Sequence, residues 1–394
     1  MNYKDESIKY FNKQTGRNFR SFPEAATAFF RMKGNNNKKS LVEALQAYYG
    51  QLNVGTKQDG QFQRRGLTTT ASITSVTQSA NSSIPSPTLW ARSDTSAFLY
   101  VGSNVSTSIS NAYAGASTGN GTQFRIEFFS DSPELDFKLA GINSIYDLYI
   151  DGYRVSTSTV TTPADGADYF YYVKLPSSKM RRFSLVGINT GFKGLFTPAG
   201  YTVKAATMDR PFIWQLGDSY TYGTGASQPS FTDFRQVCDY FGMFGIADGI
   251  GGTGWTSSGS DPLSRVNNKL ANLSHKPDFI FLSMAYNDAG GNMTTLTNNF
   301  NNTVARIREL VPKARIIVIG TATPVGGTAN LLTVTNTIKA LCANLVLPYV
   351  DMYEVVNSTN STFYTGGDNV HPNDAGYTAR AVALVEKLRP LLVL

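Results

Sequence analysis

Histidine and cysteine are almost absent from this 394-residue chain, which has two of each: His275 and His371, Cys238 and Cys342. Two cysteines cannot staple a chain this long, nor build a cysteine-based zinc site unaided. Long apolar runs are missing as well. The longest, such as Ile316–Ile319, fall far short of the roughly 20 residues that cross a bilayer, so no membrane span is expected. The first residues, Met1-Asn-Tyr-Lys-Asp-Glu6, lack the apolar centre of a signal peptide, so classical secretion is not expected and the default location is cytoplasmic. Apolar residues nevertheless make up 41% of the chain and charged residues only 16%, a balance that buries a sizeable core and excludes a largely disordered protein.

The formal charge of +7 is unevenly placed. Residues 1–70 carry twelve basic and five acidic side chains, so the whole excess sits there; the remaining 324 residues balance at 23 of each sign. Within 1–66, Ser21-Phe-Pro-Glu24 and Ser40-Leu-Val-Glu43 fit the capping box that opens a helix, and Leu41, Leu45, Tyr48 and Tyr49 follow at helical spacing. Two short helices cannot hide these aromatics alone, so the segment is expected to dock, either on its own protein or on a larger assembly. No recognition motif accompanies the charge, so nucleic acid is not expected as a partner. Residues 67–88, dominated by Thr and Ser and ending in Ile84-Pro-Ser-Pro87, read as a linker.

Two regions of different rhythm follow. From 89 to 203, β-forming runs such as Gln123–Phe129, Tyr169–Leu175 and Arg182–Val186 are punctuated by Gly, Pro, Asp and Ser, with no helical pattern between them. This predicts an antiparallel β-sandwich, with Asp151-Gly152 as a tight hairpin turn. From 208 to 394, strands at 212–216, 278–283, 315–320 and 347–350, with one more near 241–247, alternate with helices near 231–240, 296–310, 330–343 and 375–388. That alternation predicts a parallel sheet covered on both faces, whose ligands sit beyond the carboxyl ends of the strands.

Polar residues gather on that edge. Gly217-Asp218-Ser219 follows the first strand, Gly249–Gly254 the second region, Ala285-Tyr-Asn-Asp288 the strand at 278–283, and Asp368-Asn-Val-His371 precedes the last helix. A serine becomes a nucleophile only beside a base, which itself needs an orienting partner. His275 leads into the amino end of a strand, the wrong edge for Ser219, which leaves His371 as base and Asp368 as its partner. Oxyanion donors are available in the Ser219 backbone N–H, a glycine N–H of Gly251-Gly252 and the Asn287 amide. Taken alone, Ser219 reads as a helix cap. Asp288 is expected to brace its loop, and the cysteines to be small buried hydrophobes. Tyr220, Trp255 and Tyr286 are candidates to line a substrate cleft, or else packing aromatics.

These four blocks, in this order, resemble the SGNH, or GDSL-type, hydrolases over roughly 208–394. The resemblance implies a three-layer, flavodoxin-like α/β hydrolase domain that works without metal or organic cofactor. Carried over by position, it implies Ser219 as nucleophile and oxyanion donor, Gly252 and Asn287 as the other donors, His371 as base and Asp368 as its partner. The sequence departs from the pattern at Tyr220, where Leu is common, and at Ala285, where Gly is usual. The sandwich-then-hydrolase order is similar to carbohydrate esterases with an N-terminal jelly-roll-like module, which implies O-deacetylation of an acetylated polysaccharide. With its basic leader, the chain also resembles a bacteriophage tail component, which implies a virion location and docking to other tail proteins through 1–66. A lipase or thioesterase of the same family, or a catalytically idle carbohydrate-binding virion protein, are the alternatives.

Overall fold

The computed structural model describes residues 72–73, 77–102, 123–155, 160–188, 191–258, 260–320, 328–353, 355–356 and 368–392; the expected helical leader at 1–66 lies outside them. Among the described residues, the first part of the chain forms thirteen strands: β1 (Ser72–Ile73), β2 (Thr77–Gln78), β3 (Thr88–Ala91), β4 (Leu99–Val101), β5 (Gln123–Ser130), β6 (Glu134–Ala140), β7 (Ile145–Ile150), β8 (Tyr153–Arg154), β9 (Val160–Thr161), β10 (Asp168–Lys174), β11 (Arg181–Ile188), β12 (Phe192–Thr197) and β13 (Val203–Ala205). One antiparallel sheet runs β1-β10-β6-β12-β3 with β2 also on β10; the other runs β13-β5-β11-β7-β8, with β4 on β5 and β9 on β7. Leu135, Phe137, Leu139 and Tyr171 of the first sheet share one core with Ile126, Phe128, Leu148 and Leu185 of the second. Every second residue of these strands points inward, which is the geometry of a sandwich. The β7–β8 hairpin turns through Asp151 and Gly152, both at positive φ (53° and 84°), the conformation a two-residue turn requires.

The linker expected at 67–88 is corrected in part. β1 and β2 pair antiparallel with β10, Ile84 is buried, and the Ser82 hydroxyl and Ser83 N–H both donate to the buried Asp136 carboxylate at 2.8 Å. Of the Thr and Ser side chains that suggest a linker, Thr77 lies exposed on β2 and Ser82 serves as a hydrogen-bond donor.

The second part is an α/β unit: β14 (Phe212–Gly217), α1 (Ser219–Tyr222), α2 (Asp233–Phe241), β15 (Phe244–Gly249), α3 (Pro262–Arg265), β16 (Phe279–Ser283), α4 (Met293–Leu310), β17 (Arg315–Ile319), α5 (Ala329–Asn344), β18 (Tyr349–Val350) and α6 (Asp374–Leu388). The sheet is wholly parallel, in the order β15-β14-β16-β17-β18. Its strands are apolar on both faces because both are covered. Trp214, Leu216, Ile280 and Leu282 pack toward α4 and α5, while Ile213, Phe279, Phe281 and Ile317 pack toward α2 and α6. Cys238 and Cys342 are free, buried members of these two cores. The strand order reverses between β14 and its neighbours, so a crevice opens at their carboxyl ends.

The sandwich docks on this unit. Val101 belongs to the core beneath the parallel sheet, Ser274 donates its N–H to the Gly102 carbonyl at 3.1 Å and its hydroxyl to that of Tyr100 at 3.0 Å, and the Arg125 guanidinium lies 5.5 Å from the Phe244 ring centre. Among the described residues no helix is long and apolar enough to cross a membrane.

Candidate active site

Ser219 is the first residue of α1, immediately beyond β14. Asp218 caps this helix, its carboxylate accepting from the Tyr220 N–H at 3.0 Å, and Gly223 ends it in a left-handed turn at φ 94°. The short Gly-Asp-Ser sequence therefore does two jobs: it ends a strand and opens a helix that holds the serine at the crevice, only 6% exposed. The first N–H groups of a helix lack intrahelical partners, which leaves the Ser219 N–H available as a donor.

His371 arrives from the loop before α6. Its Nε2 lies 2.8 Å from Ser219 Oγ, and its Nδ1 lies 2.6 Å from Asp368 Oδ2. The Asp368 Oδ1 accepts from the Val370 N–H at 2.9 Å and the His371 N–H at 3.1 Å, closing a turn in which Asn369 sits at φ 51°, a position Asn tolerates. The Val370 N–H first, and then the imidazole, hold the Asp368 carboxyl down at about 2. An ionised Asp368 can only accept, so Nδ1 carries the proton and Nε2 presents its lone pair to the serine hydroxyl. His275 stands apart at the amino side of β16, with its Nδ1 3.1 Å from Ser274 Oγ.

Of the glycines, Gly251 rather than Gly252 lies against the serine: a Cβ built on it would be 3.9 Å from Ser219 Cβ, whereas Gly252 occupies a positive-φ turn (74°) with open space around it. Asn287 is exposed at the crevice, and its amide donates one hydrogen to the Thr253 carbonyl at 2.8 Å, leaving the second for a ligand. Asp288 is wholly buried and clamps the same loop, accepting from the Trp255 N–H (2.9 Å), the Thr256 N–H (2.8 Å) and the Thr256 hydroxyl (2.7 Å). Behind it, sequence reasoning missed a buried ionic cluster. Asp248 accepts from Lys269 Nζ at 2.7 Å and pairs with Arg265, which also reaches the Thr253 hydroxyl at 3.3 Å. Only the place of Asp248, one residue past the strand expected near 241–247, hinted at it.

Two of the three aromatics proposed as cleft residues are corrected. Trp255 is completely buried against Phe300, 4.8 Å between ring centres, because the Asp288 clamp turns its side chain into the core. Tyr220 is 3% exposed and lies under the His371 ring at 5.6 Å, its hydroxyl donating to the Val370 carbonyl. It supports the histidine loop and lines no cleft. Tyr286 alone remains partly open. Among the described residues no group of three or more His, Cys, Asp or Glu could hold a metal ion.

Residues 216–379 match the GDSL-like lipase/acylhydrolase family. No curated protein matches the sequence. The fold, however, is shared with solved structures at low identity. The salicylyl-acyltransferase SsfX3 of a tetracycline biosynthetic pathway aligns with a TM-score of 0.63 and 17% identity over 78% of this chain and 98% of its own. A family two carbohydrate esterase from Cellvibrio japonicus aligns with 0.61 and 17% over 78% and 98%, and one from Clostridium thermocellum, solved with cellohexaose, with 0.59 and 16% over 75% and 99%. Coverage of this size extends beyond the GDSL-type domain, so the likeness takes in the sandwich as well.

Ala285, where the GDSL-type pattern has Gly, sits at φ 149° and is 1% exposed. This backbone is left-handed and strained for any residue with a Cβ, so Ala285→Gly is expected to stabilise the fold by about 1 kcal/mol, read as a raised urea midpoint. Asp218 supplies a second prediction. Burial raises its carboxyl from 3.8 to about 6. Its ionised form therefore weighs against the folded state above pH 6, and the penalty disappears as pH falls through 6 toward 4. Asp218→Asn retains a capping side chain without the charge. Its urea midpoint is expected to exceed that of the wild type at pH 8 and to converge with it near pH 4.

Proposed function

We propose that the protein is a serine esterase that removes O-acetyl groups from a polysaccharide. The observation that carries the reading is the unbroken hydrogen-bonded chain from Ser219 Oγ through His371 to Asp368, at 2.8 and 2.6 Å. In the first step Ser219 Oγ attacks the acetyl carbonyl while His371 Nε2 takes its proton, and the imidazolium is stabilised by the ionised Asp368. Charge develops on the carbonyl oxygen, which the Ser219 N–H, the loop glycine and the free hydrogen of the Asn287 amide are placed to receive. His371 then protonates the departing sugar oxygen. Water, deprotonated by the same nitrogen, releases acetate and restores the serine.

The carbohydrate part of the proposal is supported by the likeness to family two carbohydrate esterases over both the sandwich and the GDSL-type domain. Tyr286, beside Asn287, offers an apolar face at the crevice on which a sugar ring can rest. The proposal places the polysaccharide on a bacterial surface and the protein in a phage tail, with 1–66 as its attachment segment; this rests on the basic leader preceding the sandwich.

Acetate release from acetylated polysaccharide tests the chemistry. Ser219→Ala is expected to lose about a thousandfold or more, as nucleophile removal does in other serine hydrolases. Undiminished release by this variant would overturn the mechanism. A preference for long acyl chains over acetyl on aryl esters would point instead to a lipase-type enzyme, and a folded wild type that no fluorophosphonate labels would be an idle binding protein. For the leader, deletion of 1–66 is expected to leave acetate release intact and abolish incorporation into virions. Loss of catalysis in that deletion would make the leader part of the enzyme's fold.

A further inference from the structure

Between the nucleophile helix α1 and α2 runs a strap, residues 224–230, with the His371 loop on one side and the sandwich on the other. On the sandwich side, Asp147 of β7 is almost fully buried and uses both oxygens: Oδ1 accepts from Arg154 Nε at 3.0 Å, and Oδ2 accepts from the Ser230 N–H of the strap at 3.0 Å. Arg154 of β8, itself 5% exposed, extends Nη2 to the Gln228 side chain and lies 5.3 Å from the Phe231 ring centre. These are charge-assisted bonds shielded from water, which makes them stiffer and more directional than surface contacts.

On the histidine side the strap is held just as closely. Ser227 donates its N–H to Asp374 Oδ1 at 2.8 Å and its hydroxyl to Asp374 Oδ2 at 2.6 Å. Asp374 is the first residue of α6, three positions after His371. A Cβ built on Gly225 would be 2.3 Å from the Pro372 carbonyl oxygen and 3.5 Å from His371 Cβ, so strap and histidine loop are in direct contact. The Tyr377 hydroxyl, on the first turn of α6, donates to the Thr224 carbonyl at 2.8 Å.

We propose that the sandwich takes part in catalysis as a mechanical support: Asp147 and Arg154, acting through the strap, are positioning residues for His371. The inference rests on the serine-esterase reading and goes beyond it by making a residue pair of the other domain set the placement of the base. Neither residue touches substrate. Releasing the strap lets His371 drift from Ser219, and a displacement of about 1 Å at the reacting atoms is enough for roughly a hundredfold in rate.

The test is a double-mutant cycle on the full chain with para-nitrophenyl acetate, a small ester without a sugar. Arg154→Met and Asp374→Ala break the path at opposite ends. Each is expected to lower kcat about tenfold with KM unchanged, and to slow fluorophosphonate labelling of Ser219 in parallel. The double variant is expected to be no slower than the worse single, because one broken link already frees the loop. Arg154→Lys, which restores a cation beside Asp147, is expected to recover part of the rate. Should Arg154→Met fail to fold, Arg154→Lys and Asp374→Ala complete the cycle. Wild-type kcat in the folded single variants, or losses that multiply in the double, would overturn the proposal and leave the pair as a purely structural brace. A wild type inert toward both ester and fluorophosphonate would overturn the esterase reading itself, and this inference with it.

Discussion

The 2.8 Å contact between Ser219 Oγ and His371 Nε2 joins residues 152 apart in the chain, and much of the surrounding architecture can be understood as holding that gap closed. A hydrogen bond of this kind contributes only about 1 kcal/mol net, far too little to order a loop and a helix by itself. The alignment therefore has to be imposed from outside the triad. Tyr220 reaches from the serine helix to the Val370 carbonyl, Tyr377 reaches back from α6 to Thr224, and the buried Arg380–Asp233 pair at 2.8 Å ties α6 to α2. Each contact links the same two stretches of chain. Their ordering entropy is shared, so every contact after the first costs less than it would alone.

The parallel sheet explains why so much of the site was legible in the sequence. In such a sheet all carboxyl ends share one edge, so Ser219 after one strand and Asn287 after another are brought together by topology, whatever the intervening sequence. Scarcity did the rest, because with two histidines and one on the wrong edge the candidate base had no rival. What stayed hidden depended on the other half of each contact. Trp255 looks like a cleft aromatic until the Asp288 clamp is known to turn it inward. Gly251 and Gly252 are indistinguishable by type, and only the course of the loop brings one of them against the serine. In the sandwich, a bulge between Phe192 and Gly194 interrupts the regular register of β12 on β6. Asp147 and Arg154 read as ordinary residues of a β-rich stretch, since nothing local announces that their partners are Ser230 and Gln228.

Two aspartates near the serine show how environment divides one residue type between roles. Asp218 is buried with a single backbone donor, and desolvation pushes its carboxyl up to about 6. Asp368 is largely exposed, receives two backbone N–H groups and an imidazole, and is held at about 2. The first caps the helix by accepting from the Tyr220 N–H, and burial favours its neutral form. The second must be ionised to fix the histidine tautomer, and it is kept so mainly by main-chain donors.

Main-chain donors do not depend on side-chain identity, and the same holds for the Ser219 N–H and the loop glycine N–H at the expected oxyanion position. A site built this way constrains the path of the backbone more than the sequence that follows it. Folds at 15–18% identity can then superpose over three-quarters of the chain.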